Sequence, residues 1–188
     1  MKLNLKGTNM ELVEKKISSK QIFDGIVVKL FVDEVELPNG KKATREVVRH
    51  PGAVCVIPVD EEQNVIMIKQ FRYPFEEILY EIPAGKLELG EDPYEAAIRE
   101  LEEETGVNAS SIEYIGTMYT TVAILDEKIH MYLATNISYR NAHPDDGEFL
   151  EVEKVPLSTL VSMVMEGKIP DSKTQIAILK ADKILNSH

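Results

Sequence analysis

Apolar and polar residues along this chain of 188 residues predict strands first and helices later. Residues 1–20 are polar and mixed, and we expect a loose or helical lead-in there. Residues 21–50 are rich in β-branched and aromatic side chains, and they are interrupted by Asn39 and Gly40, a pair that favours a tight hairpin. This stretch therefore predicts a small antiparallel β-module.

The remaining chain predicts interspersed strands and helices. Strand-like runs cover 53–58, 64–70, a short stretch ending near Ile82, 112–119, 128–135 and 148–155, and helical patterns cover 93–104, 157–167 and 172–185. No steady β-α-β rhythm is present, which favours a mixed sheet with helices packed on it, in the α+β class. We expect residues 1–50 to form the N-terminal β-module and residues 51–188 the main domain.

Composition narrows the classes of function. Asp and Glu number 32 against 21 Lys and Arg, giving a formal net charge of -11, so phosphates of nucleic acids and anionic membrane surfaces would be repelled. No stretch reaches the roughly 20 apolar residues of a membrane span, and we expect a cytoplasmic protein. The one cysteine, Cys55, lies in an apolar run, which predicts a buried thiol without a disulfide.

The segment 85–107, GKLELGEDPYEAAIRELEEETGV, carries the most specific signal in the chain. Asp92 is a good helix N-cap, and Pro93 fits the first helical turn. Gly106 stands where a helix of about three turns would end. One face of this helix is apolar and can pack on the sheet, through Tyr94, Ala97, Ile98 and Leu101.

Acidic residues occupy another face of the same helix. Glu100, Glu103 and Glu104 are spaced so that their carboxylates converge, and Glu91 lies just before the helix. Like charges this close repel, and Arg99 is placed to neutralise or orient one of them. The remaining negative charge suits a hard divalent cation, Mg²⁺ above all, with Mn²⁺ as an alternative. A solvated acidic helix face is the competing interpretation of the glutamates alone.

The complete spacing favours the metal-binding interpretation. Gly85 is followed by five residues, Glu91, seven more residues and the run RELEEETGV. This spacing resembles the Nudix box at every specified position. The resemblance implies a Nudix hydrolase, whose fold is an α-β-α sandwich with a mixed sheet between helices. It also implies that the loop–helix–loop segment binds divalent metal ions and the diphosphate of a substrate.

The resemblance implies metal-binding and catalytic residues at the matching positions. Glu100 and Glu104 are implied as the principal metal ligands. Glu103 and the backbone carbonyl of Ala84 are implied as assisting ligands. Catalytic roles are implied for Glu103, for Arg99 as the salt-bridge partner of a glutamate, and for Glu148 as the general base. Glu91 is placed in the outer shell of the metal site, and Glu151 is the weaker candidate for the base.

Segments outside the box are similar to the ADP-ribose pyrophosphatase branch of the family, over nearly the whole chain from about residue 20. The likeness implies hydrolysis of ADP-ribose, or a related ADP-sugar, to AMP and ribose 5-phosphate. It places Arg72 at the phosphates and Arg45 and Glu46 at the nucleoside or ribose end. An ordinary surface charge is the alternative for Arg72, and a structural role is the alternative for the other two.

One loop departs from that branch. Where the branch has proline and glycine, this chain has Val122 and Ala123, so the loop should differ in shape. Two alternatives therefore stay open: a Nudix hydrolase of a flavin dinucleotide, a nucleotide-sugar or a nucleoside triphosphate, and a non-catalytic ligand-sensing Nudix module. The branch further implies a homodimer joined through the N-terminal β-module, acting on a small molecule and not on nucleic acid or a membrane.

Overall fold

The computed structural model describes residues 12–140 and 149–186. The chain divides into two compact units. The N-terminal unit is the described part of Met1–His50 together with Thr121–Asp126, and the main unit is Pro51–Thr120 with the described part of Glu127–His188. The domain boundaries expected from the sequence stay a prediction, because compact units need not fold independently.

Three antiparallel strands form the N-terminal unit: β1 (Lys15–Asp24), β2 (Lys29–Glu36) and β3 (Lys42–Arg49), in that order. The loose or helical lead-in predicted for residues 1–20 is wrong from the start of β1, where the polar segment pairs with β2. The predicted turn between β2 and β3 is present, and Gly40 has a φ of 77° there. The antiparallel β-module is therefore longer than the sequence predicted.

The segment Thr121–Asp126, which contains the altered loop, is bonded to β3 within the N-terminal unit. Val48 donates its N–H to the carbonyl of Ile124 at 2.7 Å and accepts from the N–H of Asp126 at 3.2 Å. The carboxylate of Asp126 also lies 3.1 Å from Nη1 of Arg49. These bonds hold the C-terminal end of the altered loop against β3, while Val122 is 79% exposed.

Seven strands of the described chain belong to the main unit: β4 (Ala53–Pro58), β5 (Asn64–Arg72), β6 (Glu77–Glu81), β7 (Ala84–Lys86), β8 (Val107–Tyr119), β9 (Lys128–Tyr139) and β10 (Leu150–Pro156). One sheet has the order β7-β4-β9-β8 and is mixed, since β4 and β9 are parallel. The other sheet is antiparallel, in the order β10-β5-β6. The predicted strands are present, β8 and β9 are longer than predicted, and β7 was not predicted.

Helices cover both faces of β4: α1 (Pro93–Thr105) on one, and α2 (Leu157–Met165) and α3 (Ser172–Leu185) on the other. Val54 and Val56 belong to the core beneath α1, and Cys55 and Ile57 belong to the core beneath α2 and α3. The α-β-α sandwich is therefore confirmed. None of the helices in the described residues is long and apolar enough to span a membrane.

The thiol of Cys55 is buried, as the apolar run predicted, with no exposed surface. Burial raises the pKa of Cys55 to about 12, because the thiolate would have to form away from water. The thiol therefore stays protonated in the folded chain at neutral pH and belongs to the packing of the core.

Helix α1 begins and ends where its caps were predicted. The side chain of Asp92 accepts a hydrogen bond from the N–H of Tyr94, and Gly106 ends the helix with a φ of 67°. Of the predicted apolar face, Ala97 and Leu101 are buried, whereas Tyr94 is 43% exposed and contacts Tyr132 edge-on. The buried face fixes the rotation of α1, and this rotation determines the direction of its acidic face.

Leu101→Ala is expected to lower the free energy of unfolding by about 2–5 kcal/mol, because it opens a cavity beneath α1. Leu101 is 1% exposed, whereas Leu89, in the connection before α1, is fully exposed. The matched control Leu89→Ala should change stability by less than about 0.5 kcal/mol. Urea unfolding followed by circular dichroism measures both variants, and equal losses would contradict this packing.

Candidate active site

A cavity of about 700 Å³ opens in the main unit, beside α1, the β5–β6 hairpin and the N-terminus of α3. Among the described residues that line it, four side chains are cationic and six are carboxylates. The cations are Arg72, Lys86, Arg99 and Lys173. The lining thus has two more negative than positive charges, and a polyanionic ligand needs additional cations to bind there.

Arg99 holds three glutamates of the α1 segment. Its Nε and Nη2 donate to the two carboxylate oxygens of Glu91 at 2.9 and 3.1 Å. Its Nη1 donates to Glu100 at 2.8 Å and to Glu103 at 2.9 Å. Hydrogen bonding to Arg99 is the main reason that the pKa of Glu91 lies below its usual value, and pairing with Glu91 raises the pKa of Arg99. One guanidinium thus compensates a group of like charges.

Glu104 lines the cavity from a buried position and is 3% exposed. Its Oε2 accepts a hydrogen bond from the backbone N–H of Ala84 at 2.9 Å. A buried carboxylate is costly unless it is hydrogen-bonded, and this bond both lowers the cost and fixes the orientation of the carboxylate. The role of the Ala84 carbonyl as a metal ligand stays a prediction, and the amide of the same residue is the group that contacts Glu104.

Gly85 is required by space and not by backbone conformation, since its φ lies outside the left-handed region. A Cβ atom at this position would fall 1.9 Å from the carboxyl carbon of Glu100, and 1.9 and 2.2 Å from its two oxygens. The carboxylate of Glu100 therefore lies directly against the backbone of β7. The absence of a side chain at Gly85 allows Glu100 to occupy this place on the cavity wall.

Glu100 and Glu104 together give the cavity two carboxylates on one helix face. Glu103 pairs with Arg99 and is not part of the lining. No three or more Asp, Glu, His or Cys side chains of the described residues form a complete metal-binding group. Mg²⁺ is commonly held by one or two carboxylates together with water and substrate phosphates. The donor set present here fits a partly open site for a divalent cation.

A second ionic group lines the same cavity and was not predicted as a unit. Nε and Nη2 of Arg72 donate to the two oxygens of Glu81 at 2.6 and 2.7 Å. Glu81 also accepts from Nζ of Lys173, which donates to Asp171 at 3.0 Å. Burial raises the pKa of Glu81, but Arg72 and Lys173 together hold it below its usual value. Glu81 therefore stays ionised at neutral pH.

The β5–β6 register explains how this group forms. Ile68 pairs with Glu81 and Arg72 pairs with Glu77, so that Arg72 and Glu81 lie on the same face of the hairpin. Their shared face was the available signal in the sequence, but the register leaves the two residues four pairs apart along the hairpin. Lys173 comes from α3, 92 positions away in the chain, and nothing local indicated it.

The other predicted site residues are not among the described residues that line the cavity. Arg45 and Glu46 lie on β3 of the N-terminal unit, where Nε of Arg45 donates to Glu14 at 3.0 Å. Glu151 lies on β10 with its side chain 80% exposed. Glu148 lies outside the described residues, and its role as general base stays a prediction.

Known proteins resemble this chain over most of its length. The NUDIX domain family matches residues 48–176, and the nucleoside diphosphate sugar hydrolase N-terminal domain matches residues 14–48. The ADP-ribose pyrophosphatase of Bacillus subtilis (strain 168) is 47% identical over 169 residues, which cover 89% of this chain and 91% of that protein. The methanol dehydrogenase activator of Bacillus methanolicus is 47% identical over 167 residues, with coverage of 88% and 90%.

A solved structure shares the fold. The crystal structure of an ADP compounds hydrolase matches with a TM-score of 0.82, covering 92% of this chain and 94% of the other. Its sequence identity is 20%, so the match concerns the fold alone.

Gly85→Ala is expected to displace Glu100 and to weaken binding of Mn²⁺, used as a probe ion, about ten- to a hundredfold. The displaced atoms belong to a flexible side chain, so the free energy of unfolding should change by less than about 1 kcal/mol. Electron paramagnetic resonance measures the bound ion, and urea unfolding measures the stability.

The matched control is Gly90→Ala. Gly90 has a φ of 80°, and a Cβ atom added there would meet no atom of the described residues within 4 Å. Alanine therefore strains the backbone by about 1–2 kcal/mol without touching Glu100. This variant should lose stability and keep its ion affinity. Normal Mn²⁺ binding by Gly85→Ala would contradict the placement of Glu100.

Proposed function

The chain belongs to the Nudix family and is a Nudix pyrophosphatase, and we propose that it hydrolyses the diphosphate of ADP-ribose, or of a related ADP-sugar, to AMP and ribose 5-phosphate. The observation that carries the reaction is the cavity that combines Glu100 and Glu104 with Arg72. The choice of substrate is supported by the relative named ADP-ribose pyrophosphatase, which is 47% identical over about nine-tenths of both chains.

Mg²⁺ is the proposed cofactor, with Mn²⁺ able to replace it. Glu100 and Glu104 would be its principal ligands, and Glu103 and the carbonyl of Ala84 would complete the set. The bound ion would offset phosphate charge and lower the pKa of the attacking water. The need for it follows from charge, since a diphosphate brings about two negative charges to a lining that already has an excess of two.

Residues of the chain itself prepare the site in our proposal. Arg99 orients Glu100 through a direct hydrogen bond, and the amide of Ala84 orients Glu104. Glu91 stays in the outer shell, where it anchors the far edge of Arg99. Glu148 is the proposed general base, accepting the proton of the attacking water.

Substrate recognition is proposed at two places in the chain. Arg72 would bind a phosphate through the donors that Glu81 leaves available, since a guanidinium fork matches phosphate oxygens. Arg45 and Glu46 would bind the nucleoside or ribose end. Their support is that β3 lies almost wholly within the matched nucleoside diphosphate sugar hydrolase N-terminal domain.

A Nudix hydrolase of another diphosphate is the second candidate. The altered loop favours it, because Val122 and Ala123 replace the proline and glycine of the branch and Val122 is 79% exposed. The relative named methanol dehydrogenase activator, equal in identity to the ADP-ribose pyrophosphatase, also leaves the substrate open. A non-catalytic sensing module has no support from the site, where Glu100 and Glu104 are both in place.

We also propose a cytoplasmic homodimer, joined through the N-terminal unit. β1 is the edge strand of its sheet and is exposed along its whole length. Ile17, Ile22 and Phe23 on it are each about half exposed, and edges of this kind pair readily with another chain. Sedimentation equilibrium should give twice the mass of one chain, and a mass of 21.2 kDa would contradict the dimer.

The substrate is tested by chromatographic turnover assays with Mg²⁺. ADP-ribose is offered beside other ADP-sugars, a flavin dinucleotide, GDP-sugars and nucleoside triphosphates. Preference for ADP-ribose, with AMP and ribose 5-phosphate as products, is the expected result. Preference for another compound would contradict ADP-ribose as the substrate but not diphosphate hydrolysis. The altered loop would then be the first candidate for the segment that determines specificity.

Glu104→Gln should reduce turnover by about a thousandfold or more with the fold intact, because a neutral amide is a poor Mg²⁺ ligand. Glu102→Gln is the matched control on the same helix, since Glu102 is outside the cavity lining and contacts Arg140. It should keep turnover within about twofold of the unsubstituted chain. A near-normal rate for Glu104→Gln would remove Glu104 from the metal site.

Arg72→Ala should raise KM about ten- to a hundredfold and change kcat less, because it removes a charge-assisted contact to phosphate. Steady-state kinetics on the preferred substrate of the panel measure both constants. Unchanged kinetics would mean that Arg72 is an ordinary charge of the cavity wall and does not bind the substrate.

A further inference from the structure

We propose that Glu81 is a positioning residue, which fixes the guanidinium of Arg72 so that its remaining N–H groups meet a substrate phosphate, with Lys173 holding Glu81 in turn. This inference rests on the proposed function, since it requires that Arg72 binds phosphate. Glu81 is not part of the Nudix box and had no role in the sequence interpretation.

The geometry of Arg72 leaves one edge of its guanidinium for a ligand. A guanidinium is planar and has five N–H donors, so fixing one edge also fixes the direction of the others. Nε and Nη2 are bonded to Glu81, while Nη1 forms no hydrogen bond to the described residues. The side chain lines the cavity and is 37% exposed, which leaves it accessible to a ligand.

Glu81 is itself held by side chains from two other structural elements. Its side chain is 3% exposed at the end of β6, next to Arg72 from β5 and Lys173 from α3. Lys173 is in addition bound to Asp171, which caps α3 by accepting from the N–H of Thr174. A carboxylate bound on both sides in this way has one orientation, and it transmits that orientation to the guanidinium.

A purely structural role for Glu81, as a link between β6 and α3, explains less of the arrangement than a positioning role does. The backbone N–H of Ile82 already donates to the hydroxyl of Thr174 at 3.0 Å, so the two elements are joined without the carboxylate of Glu81. Buried ion pairs contribute little net stability, because the cost of removing their charges from water offsets their attraction. Stability alone therefore gives no reason for four charged groups on the wall of this cavity.

Competition between carboxylates for the guanidinium of Arg72 gives a reason for this group of charges. Hydrogen bonding to Glu81 is the main reason that the pKa of Arg72 is raised, and the charges of Glu104 and Asp171, which line the same cavity, raise it further. A guanidinium without Glu81 would be drawn toward a carboxylate that the proposed metal site uses. The bidentate pairing with Glu81 keeps Arg72 in place and keeps the carboxylates of α1 for the metal ion.

The test is a double-mutant cycle on the full chain with Mg²⁺ and the preferred substrate. Glu81→Gln is expected to raise KM by about ten- to a hundredfold, in the same direction as Arg72→Ala, since a loosely held guanidinium binds phosphate poorly. In the Arg72→Ala background, Glu81→Gln should change KM by less than about twofold. An equal loss in both backgrounds, or no loss in either, would overturn the proposal.

Glu81→Asp keeps the fold testable if the glutamine variant unfolds. It retains the charge and withdraws the carboxylate by about 1.5 Å, the length of one carbon–carbon bond. The melting temperature should stay near that of the unsubstituted chain while KM rises, because position and not charge has changed. A folded Glu81→Asp variant with normal kinetics would overturn the proposal.

Asp60→Asn is the matched control for loss of a largely buried acid in an ion pair. The side chain of Asp60 is 9% exposed and lies 2.6 Å from Nζ of Lys154, outside the cavity lining. This variant should lose stability and keep its KM. Failure of the proposed function is distinct, since it appears as no diphosphate turnover by the unsubstituted chain or as normal kinetics of Arg72→Ala.

Discussion

The concentration of negative charge on one face of α1 is the constraint on which the site depends. Glu91, Glu100 and Glu103 can lie together because a single guanidinium, that of Arg99, donates hydrogen bonds to all three. Glu104 depends on a different donor, the amide of Ala84. Each carboxylate is thus held in place by hydrogen bonds from the protein itself, so a cation bound at the proposed site would meet ligands that are already oriented.

The sandwich supplies the rigid parts that hold this face. β4 is buried on both sides, so α1 on one side and α2 with α3 on the other share one strand as their common wall. β7 pairs with β4 and presents Gly85 to Glu100, while α3 presents Lys173 to Glu81. The carboxylates of α1 and the cations of the second ionic group therefore reach one cavity from elements of the main unit.

Two ionic groups with different net charges share that cavity. The group of Arg72, Glu81, Lys173 and Asp171 contains two cations and two anions, whereas the face of α1 carries more carboxylates than Arg99 can neutralise. A diphosphate is attracted by the cations Arg72 and Lys173 and repelled by the excess negative charge on the face of α1. A divalent cation resolves this conflict, which agrees with the chemistry of the Nudix family to which the chain belongs.

The sequence alone determined the features that depend on neighbours along the chain. The caps of α1, the spacing of its glutamates and the bounds of α3 could be predicted, because helix geometry brings residues three and four apart together. The start of β1 could not, since that strand is exposed on both faces and shows no burial pattern. Tertiary structure alone decided the contact of Gly85 with Glu100 and the group around Glu81. Those contacts depend on the register of a hairpin and on the packing of distant elements, which local periodicity does not specify.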